Sequence, residues 1–399
     1  MSLLIIEESP GNRSAPKSDI PPMLRLGFRP FYLLAAAFAF ISVPIWLAKY
    51  YGYADILKNV SLNWHIHEMV FGFAIAVIIG FLYTAGRNWT GLWTPRRKML
   101  AALAGLWIAG RLTMLFADPV IAAVVDISFL PIATWLLYGV LKRSANKRNM
   151  VMVGLLSLLT LTNILFHAAN LGWTGVSSIH AIHIAILIIV VLEAIIGGRV
   201  IPMFTANAVP TANPIINVRR DSVIAGFTIA ACIAWAFGFP GPLTASLALA
   251  AAASQMTRLI AWQPLCTIRN PLLWILHLSY AWIPVGFVLL ALSAFGLVPT
   301  SSGMHSLAIG AMAGMMIGMI TRTALGHTGR PLKAGMSETW MYILVQAGAA
   351  GRLAASLSQT EIRDALLVFS AACWAGAFLL YVAVYSPYLM AARVDGKEG

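Results

Sequence analysis

Charged side chains are scarce in this sequence. Only 10% of its 399 residues are Asp, Glu, Lys or Arg, whereas a soluble domain carries about 25%, and 60% are hydrophobic. The mean hydropathy is +0.81. A transmembrane helix needs roughly 20 apolar residues, so the chain has material for about a dozen spans and none for a separate soluble domain. The composition predicts an all-α polytopic membrane protein.

Cysteine is also rare, which excludes two kinds of site. The three cysteines, Cys232, Cys266 and Cys373, form no C-x-x-C pair and no C-x-x-C-H motif. A disulfide framework and covalently attached haem are therefore excluded. The first 25 or so residues lack the apolar core of a signal peptide, and residues 1–27 are predicted to be a flexible cytoplasmic tail.

Acidic residues are outnumbered, with 14 Asp and Glu against 27 Lys and Arg. In a soluble protein this excess would suggest nucleic acid as a partner. In a membrane protein it is typical of basic loops retained in the cytoplasm. We therefore expect the lipid bilayer and not nucleic acid to be the partner of this surface.

The sequence contains many apolar runs that are long enough to span a membrane. They predict one transmembrane domain over 28–392 and a short cytoplasmic tail over 393–399. The twelve predicted helices cover residues 30–52, 66–86, 98–117, 120–141, 150–171, 178–198, 222–239, 243–262, 271–296, 303–322, 338–357 and 365–390.

Basic residues test this count, because they should gather in alternate joins. The joins after even-numbered helices are rich in Lys and Arg, as are both ends of the chain. Near the joins after odd-numbered helices only four occur: Lys49, Lys58, Arg352 and Arg363. The alternation predicts that both termini lie in the cytoplasm.

The second, sixth and tenth predicted helices resemble one another. Each starts with histidine at its outer end and closes about 20 residues later with arginine, as in His65 to Arg87, His180 to Arg199 and His305 to Arg322. This period of about one third of the chain predicts a threefold pseudo-repeat of four-helix units. Each unit would contribute one histidine-bearing helix to the centre.

Six of the eight histidines fall at one depth near the outer face. Ionisable groups at the membrane usually face the bundle interior and mark a functional site, and imidazole binds copper, iron and zinc. His167 is the expected bystander. The predicted metal ligands are His65, His67, His180, His183 and His305. His65 and Glu68 are expected to share a helix face from which His67 points away.

Other polar residues in the spans suggest further roles. Glu68 and Glu193 are candidate proton-transfer or catalytic acids. Arg111 and Arg352 lie at the depth of the histidines and could neutralise haem propionates, although Arg111 could instead pair with Asp126.

A second pair of histidines is predicted to lie in the cytoplasmic half of the transmembrane domain. His277 falls inside the ninth predicted helix, and His327 falls in a basic, glycine-flanked join. The two could ligate an inner haem, and His327 could instead fix its loop.

Several segments identify a family resemblance. They are F-R-P-F (28–31), W-H-x-H-E-M-x-F-G-F (64–73), T-A-x-x-N-W-T-G (84–91), G-G-R-x-I-P-x-F-T (197–205), L-H-L-x-Y-x-W (276–282) and L-G-H-T-G-R (325–330). With them the chain resembles the NnrS family over nearly its whole length. The resemblance implies a multi-pass protein of the bacterial inner membrane that contains haem and copper and is linked to nitric oxide metabolism and nitrosative stress.

The histidine-bearing helices are also similar to those of the haem-copper oxidase and nitric oxide reductase catalytic subunits. This chain departs from that pattern because its seventh predicted helix has no histidine and no tyrosine lies one turn after a histidine of the sixth. Dioxygen reduction is therefore in doubt.

The resulting hypothesis is a protein with haem b and copper that binds or reduces nitric oxide or another diatomic, using an unknown electron donor. Noncovalent haem is expected because C-x-x-C-H is absent. If it turns nitric oxide over, the protein is a nitric oxide reductase-like oxidoreductase. A twelve-helix secondary transporter and a haem electron carrier are the alternatives.

Overall fold

The computed structural model describes residues 19–53 and 56–397, and within them every regular element is a helix. The long helices, labelled in chain order, are α1 (Phe28–Tyr50), α2 (Leu62–Thr90), α3 (Arg97–Phe116), α4 (Pro119–Arg143), α5 (Met150–Asn170), α6 (Ser178–Ala208), α7 (Val218–Ala236), α8 (Gly241–Ala261), α9 (Pro271–Ala294), α10 (Thr300–His327), α11 (Met336–Leu357) and α12 (Thr360–Met390).

Nine of these helices in the described chain are long and apolar enough to cross a membrane. The other three, α7, α8 and α11, have 19, 21 and 22 residues but fall short in hydropathy. The first turn of α7, for example, contains Arg219, Arg220 and Asp221. The fold is therefore an all-helical membrane bundle, and twelve crossings remain a prediction.

The ends of the bundle are tied together by the first and last helices, α1 and α12, which pack side by side. Arg29 is completely buried, and its guanidinium donates to the carbonyl oxygens of Leu389 at 2.6 Å and Ala391 at 2.8 Å. These bonds satisfy carbonyls that the C-terminus of a helix otherwise leaves unpaired. The start of α1 and the end of α12 therefore lie at the same end of the molecule.

The sequence motifs meet at this end as well. The backbone N–H of Phe28 donates to the hydroxyl of Thr84 at 3.2 Å, and the Phe28 ring lies 5.6 Å from that of His327. Two of the segments that carry the family resemblance, F-R-P-F and L-G-H-T-G-R, thus touch one another.

The centre of the bundle is formed by α2 and α10. In their most apolar windows 83% and 78% of the residues are buried, compared with 33% in α1, α3 and α12. Both helices contain a π-helical segment, Glu68–Ala74 in α2 and Ser306–Ala313 in α10, just after the histidine near the helix start. Such segments are rare and frequently occur at functional sites.

One predicted boundary is wrong by ten residues, because α6 continues past Gly198 to Ala208. The two glycines there are contact points. A Cβ on Gly197 would lie 3.1 Å from the Tyr280 ring, and one on Gly198 would overlap the Arg258 guanidinium. Their absence of a side chain thus permits close packing.

The segment before α1 is described only from residue 19. Ile20 and Leu26 are buried there, on either side of a short 3-10 turn at Pro22–Leu24. The rest of the predicted tail, residues 1–18, lies outside the described residues, as do residues 398–399 of the C-terminal tail.

Candidate metal centre

A partly open cavity lies between the starts of α2, α6 and α10, where each helix contributes one half-buried histidine. His65, His183 and His305 line it. Its volume is about 160 Å³, whereas one water molecule needs only about 10–15 Å³ on the same scale. The cavity therefore has room for a metal ion together with a small ligand.

The orientation of two imidazoles is fixed by their neighbours. His65 stacks on Trp46 with ring centroids 5.2 Å apart, and its buried Nδ1 has no hydrogen-bond partner among the described residues. Nδ1 of His305 contacts the carbonyl oxygen of Ser301 at 2.8 Å. A carbonyl only accepts, so Nδ1 of His305 carries the proton and Nε2 keeps its lone pair for a metal.

Three thioethers, one hydroxyl and one guanidinium also line the cavity. Met69 comes from α2, Met304 and Met312 come from α10, Arg352 comes from α11 and Ser370 comes from α12. Among the described residues no carboxylate forms an ion pair with Arg352. Imidazole and thioether together suit copper, and an uncommitted guanidinium suits an anionic group such as a propionate.

The structure separates the remaining predicted outer histidines from this cavity. His180 directs Nε2 at the carbonyl oxygen of Ala236, 2.9 Å away, and lies in a groove beside α7. His67 turns to the opposite side of α2 and contacts Glu68, whose Oε1 is 3.1 Å from its Nδ1. Glu68 therefore does not share the face of His65, contrary to the spacing argument, because both His67 and Glu68 are drawn into a network of charges.

That network is buried, and it includes Glu68, the residue before Met69 of the cavity lining. Arg111 bonds Oε2 of Glu68 at 2.8 Å and pairs with Oδ1 of Asp126 through its other terminal nitrogen. Oδ2 of Asp126 lies 2.8 Å from the amide nitrogen of Asn163 and 3.0 Å from Nε2 of His167. The alternative in which Arg111 pairs with Asp126 is thus the one present in the structure.

The hydrogen bonds define the charge of His67. Its Nδ1 faces Glu68, and its Nε2 faces Oδ1 of Asn163 at 3.0 Å and Oδ2 of Asp126 at 3.1 Å. Every one of these atoms is an acceptor, so both ring nitrogens carry protons and His67 is an imidazolium. With Arg111 it balances the two carboxylates, and the formal charges sum to zero.

His67, Asp126 and His167 offer ligand atoms within 4.8 Å of one another, which is close enough for a metal ion. A histidine ligand needs a free lone pair, however, and the hydrogen bonds leave none on His67. The network is thus better suited to holding protons than to holding a metal, and the cavity of His65, His183 and His305 is the stronger candidate metal centre.

The other predicted site residues lie apart from both groups. Nε2 of His277 contacts the hydroxyl of Thr205 at 2.9 Å, and its buried Nδ1 has no partner among the described residues. His327 packs on Phe28, and its carbonyl accepts from Arg393 at 3.1 Å. Glu193 lines a second, deeper cavity.

Two residues of these sites were missed from the sequence. Asn163 lies four residues before His167 on α5, so the two share a face, and that spacing next to a suspected ion pair was the available signal. Trp46, which stacks on His65, gave no signal, because it is one aromatic among many in an apolar helix.

Comparison with family models finds a match over nearly the whole chain. The family model described as NnrS protein matches residues 22–393. No curated protein matches the chain.

Proposed function

This chain belongs to the NnrS family, and from that premise we propose that it holds a redox metal in the cavity of His65, His183 and His305 and binds nitric oxide there. Family membership indicates a role linked to the nitric oxide response. The observation that carries the proposal is the convergence of three imidazoles from three helices on one cavity.

Copper is the ion that this donor set fits most directly. His65, His183 and His305 would supply nitrogen ligands, and Met69 or Met312 would supply a soft sulfur ligand. Haem b also fits the chemistry of the lining, since one of the imidazoles could ligate its iron and Arg352 could pair with a propionate. Either metal would supply a coordination position for a diatomic ligand and a centre that changes oxidation state.

The protein's own residues would prepare this position. Ser301 orients His305, and Trp46 holds the ring of His65, so the donors need little reorganisation on binding. Val43, Ile182 and Ile309 are among the apolar side chains that line the rest of the cavity. An apolar lining disfavours water and admits a small neutral gas such as nitric oxide.

The charged network would serve as a proton store for reduction of nitric oxide. The Nδ1–H of His67 donates a hydrogen bond to Oε1 of Glu68 at 3.1 Å, and Met69, the residue after Glu68, lines the cavity. Arg111 pairs with Oε2 of Glu68 at 2.8 Å and so positions the carboxyl group that faces His67. Glu68 is in this proposal a proton-transfer residue, and Asp126 is a positioning residue for His67.

The proposed setting is the bacterial inner membrane, crossed twelve times by one domain over 28–392 with both termini in the cytoplasm. The alternation of basic joins supports this orientation. The histidine cavity would then lie near the outer face, and an electron donor would approach from that side.

Metal content of single variants tests the assignment. His65→Ala, His183→Ala and His305→Ala should each lower the copper or iron content of protein purified in mild detergent, measured by elemental analysis. His180→Ala and His167→Ala are matched controls at similar depth and should retain it. Full occupancy in all three cavity variants would refute the site, and loss in the His67→Ala variant alone would move it to the charged network.

A further inference from the structure

An open groove lies beside the histidine cavity and shares part of its wall. The lining comes from the start of α6, the end of α7, the start of α8, the end of α9 and the start of α10. Its volume is about 450 Å³, within the range of about 300–1,000 Å³ that small-molecule sites occupy. Ile179 and His183 line both the groove and the cavity. A molecule bound in the groove would therefore lie next to the proposed metal centre.

His180 is the polar side chain of the groove that has an atom to spare for a ligand. Its Nε2 lies 2.9 Å from the carbonyl oxygen of Ala236. A carbonyl only accepts, so Nε2 carries the proton and Nδ1 of the neutral imidazole is an acceptor. Nδ1 has no hydrogen-bond partner among the described residues and is not buried. The hydroxyls of the lining, on Ser177, Thr244 and Thr300, already bond within the protein.

The rest of the groove is suited to a flat, apolar molecule. Trp235 and Phe239 line it, and aromatic side chains of this kind pack favourably on another ring. Phe237 and Leu243, which neighbour the lining residues in sequence, are 76% and 46% exposed. Exposed apolar side chains at the edge of a groove are typical of a site for an apolar partner. The expected ligand is thus a lipophilic ring that carries a hydroxyl donor.

We propose that this groove binds the head group of a lipophilic quinol. One hydroxyl donates to Nδ1 of His180, and the ring packs against Trp235 and Phe239. A quinol dissolves in the bilayer, is flat and carries the O–H donor that His180 lacks among the described residues. It is also a source of two electrons and two protons. Its role as reductant for the neighbouring cavity rests on the proposed function, whereas its binding to the groove does not.

The test measures binding to metal-free protein, so that the result depends on neither metal content nor turnover. Protein purified in mild detergent is titrated anaerobically with trimethylhydroquinone, a short quinol, in an isothermal titration calorimeter. The wild-type protein should bind one equivalent. His180→Phe keeps a ring of similar size but removes the acceptor, and it should weaken the affinity by roughly fivefold or more. Phe239→Ala, which removes part of the aromatic wall, should also weaken it.

A matched ligand and a matched variant serve as controls. The dimethyl ether of the same quinol has the same ring but no O–H donor, so it should bind more weakly than the quinol and should be insensitive to His180→Phe. Trp173→Ala changes an aromatic residue that is 70% exposed in the join before α6 and does not line the groove. It should leave the affinity for the quinol unchanged. The thermal unfolding midpoint confirms that each variant is folded.

Three results would overturn the proposal: no saturable binding of the quinol to the wild-type protein, equal affinity of the wild-type protein and His180→Phe for the quinol, or equal affinity of the wild-type protein for the quinol and its dimethyl ether. Such a failure would leave the metal centre standing, because these titrations contain no metal. Loss of the metal centre would be detected separately, by the metal content of the cavity variants.

Discussion

Replacing Arg111 by methionine removes the cation that holds two buried carboxylates together. Arg111 pairs with Glu68 and with Asp126, which are 0% and 3% exposed. The substitution keeps a side chain of reasonable bulk but changes the formal charge of the network from zero to −1. Neither carboxylate can reach water, so the surplus charge stays uncompensated.

The expected loss of stability is large. Removing one partner of a buried ion pair typically costs about 3–5 kcal/mol, and at about 1.4 kcal/mol per tenfold change this lowers the folding equilibrium constant by roughly two to three and a half orders of magnitude. Equilibrium unfolding in mixed micelles measures it. Arg143→Met is the matched control, because Arg143 is exposed at the end of α4 and its replacement should change stability by no more than about 0.5 kcal/mol.

A second substitution separates charge from packing. Adding Asp126→Asn to Arg111→Met returns the formal charge to zero, so the double variant should be more stable than the sum of the two single losses predicts. A loss below about 1 kcal/mol in Arg111→Met, or strict additivity of the pair, would refute the argument that a balanced charge network stabilises this region.

Three further predictions test other contacts. Gly72→Ala should destabilise the protein by about 1–3 kcal/mol, because the new Cβ would lie 2.7 Å from Arg111 and 2.8 Å from Glu68. Gly105→Ala is the control and should not destabilise it, because nothing lies within 4 Å of that Cβ. The thermal unfolding midpoints of the two variants test this. Arg29→Gln should free the end of α12, making the C-terminal residues sensitive to protease at temperatures where the wild-type protein resists. Cys266 is exposed and the other two cysteines are buried, so a membrane-impermeant maleimide should label the protein in inside-out vesicles only; labelling of intact spheroplasts would contradict the predicted orientation.

Helix positions could be read from the sequence where apolar runs end in polar residues. The predicted fifth helix, 150–171, differs from Met150–Asn170 by one residue. The end of the sixth predicted helix could not be predicted in this way, because the low helix propensity of Gly197 and Gly198 indicates a helix end there. In the structure these glycines instead allow close contact with Tyr280 and Arg258, and that contact depends on which helices are neighbours in space.

A cluster of histidines could be predicted from the sequence, but not which of them line the cavity. Histidines at one depth indicated a cluster, and three of them do line one cavity. Helical periodicity shows that His65 and His67 point to different sides of α2, but it does not show which side faces the cavity. His180 and His183 share a face by spacing and both line the groove beside α7, but only His183 also lines the cavity, and Nε2 of His180 contacts the carbonyl oxygen of Ala236 instead. Such choices are made by tertiary contacts that no local pattern contains.

The central claim, that the histidine cavity holds a metal that binds nitric oxide, is tested most directly by anaerobic titration of dithionite-reduced, metal-loaded protein with nitric oxide. The account predicts a change in the absorption spectrum that saturates at one nitric oxide per cavity, persists in His180→Ala and is lost in His183→Ala. A wild-type spectrum that nitric oxide leaves unchanged, or an equal response in His183→Ala, would contradict it.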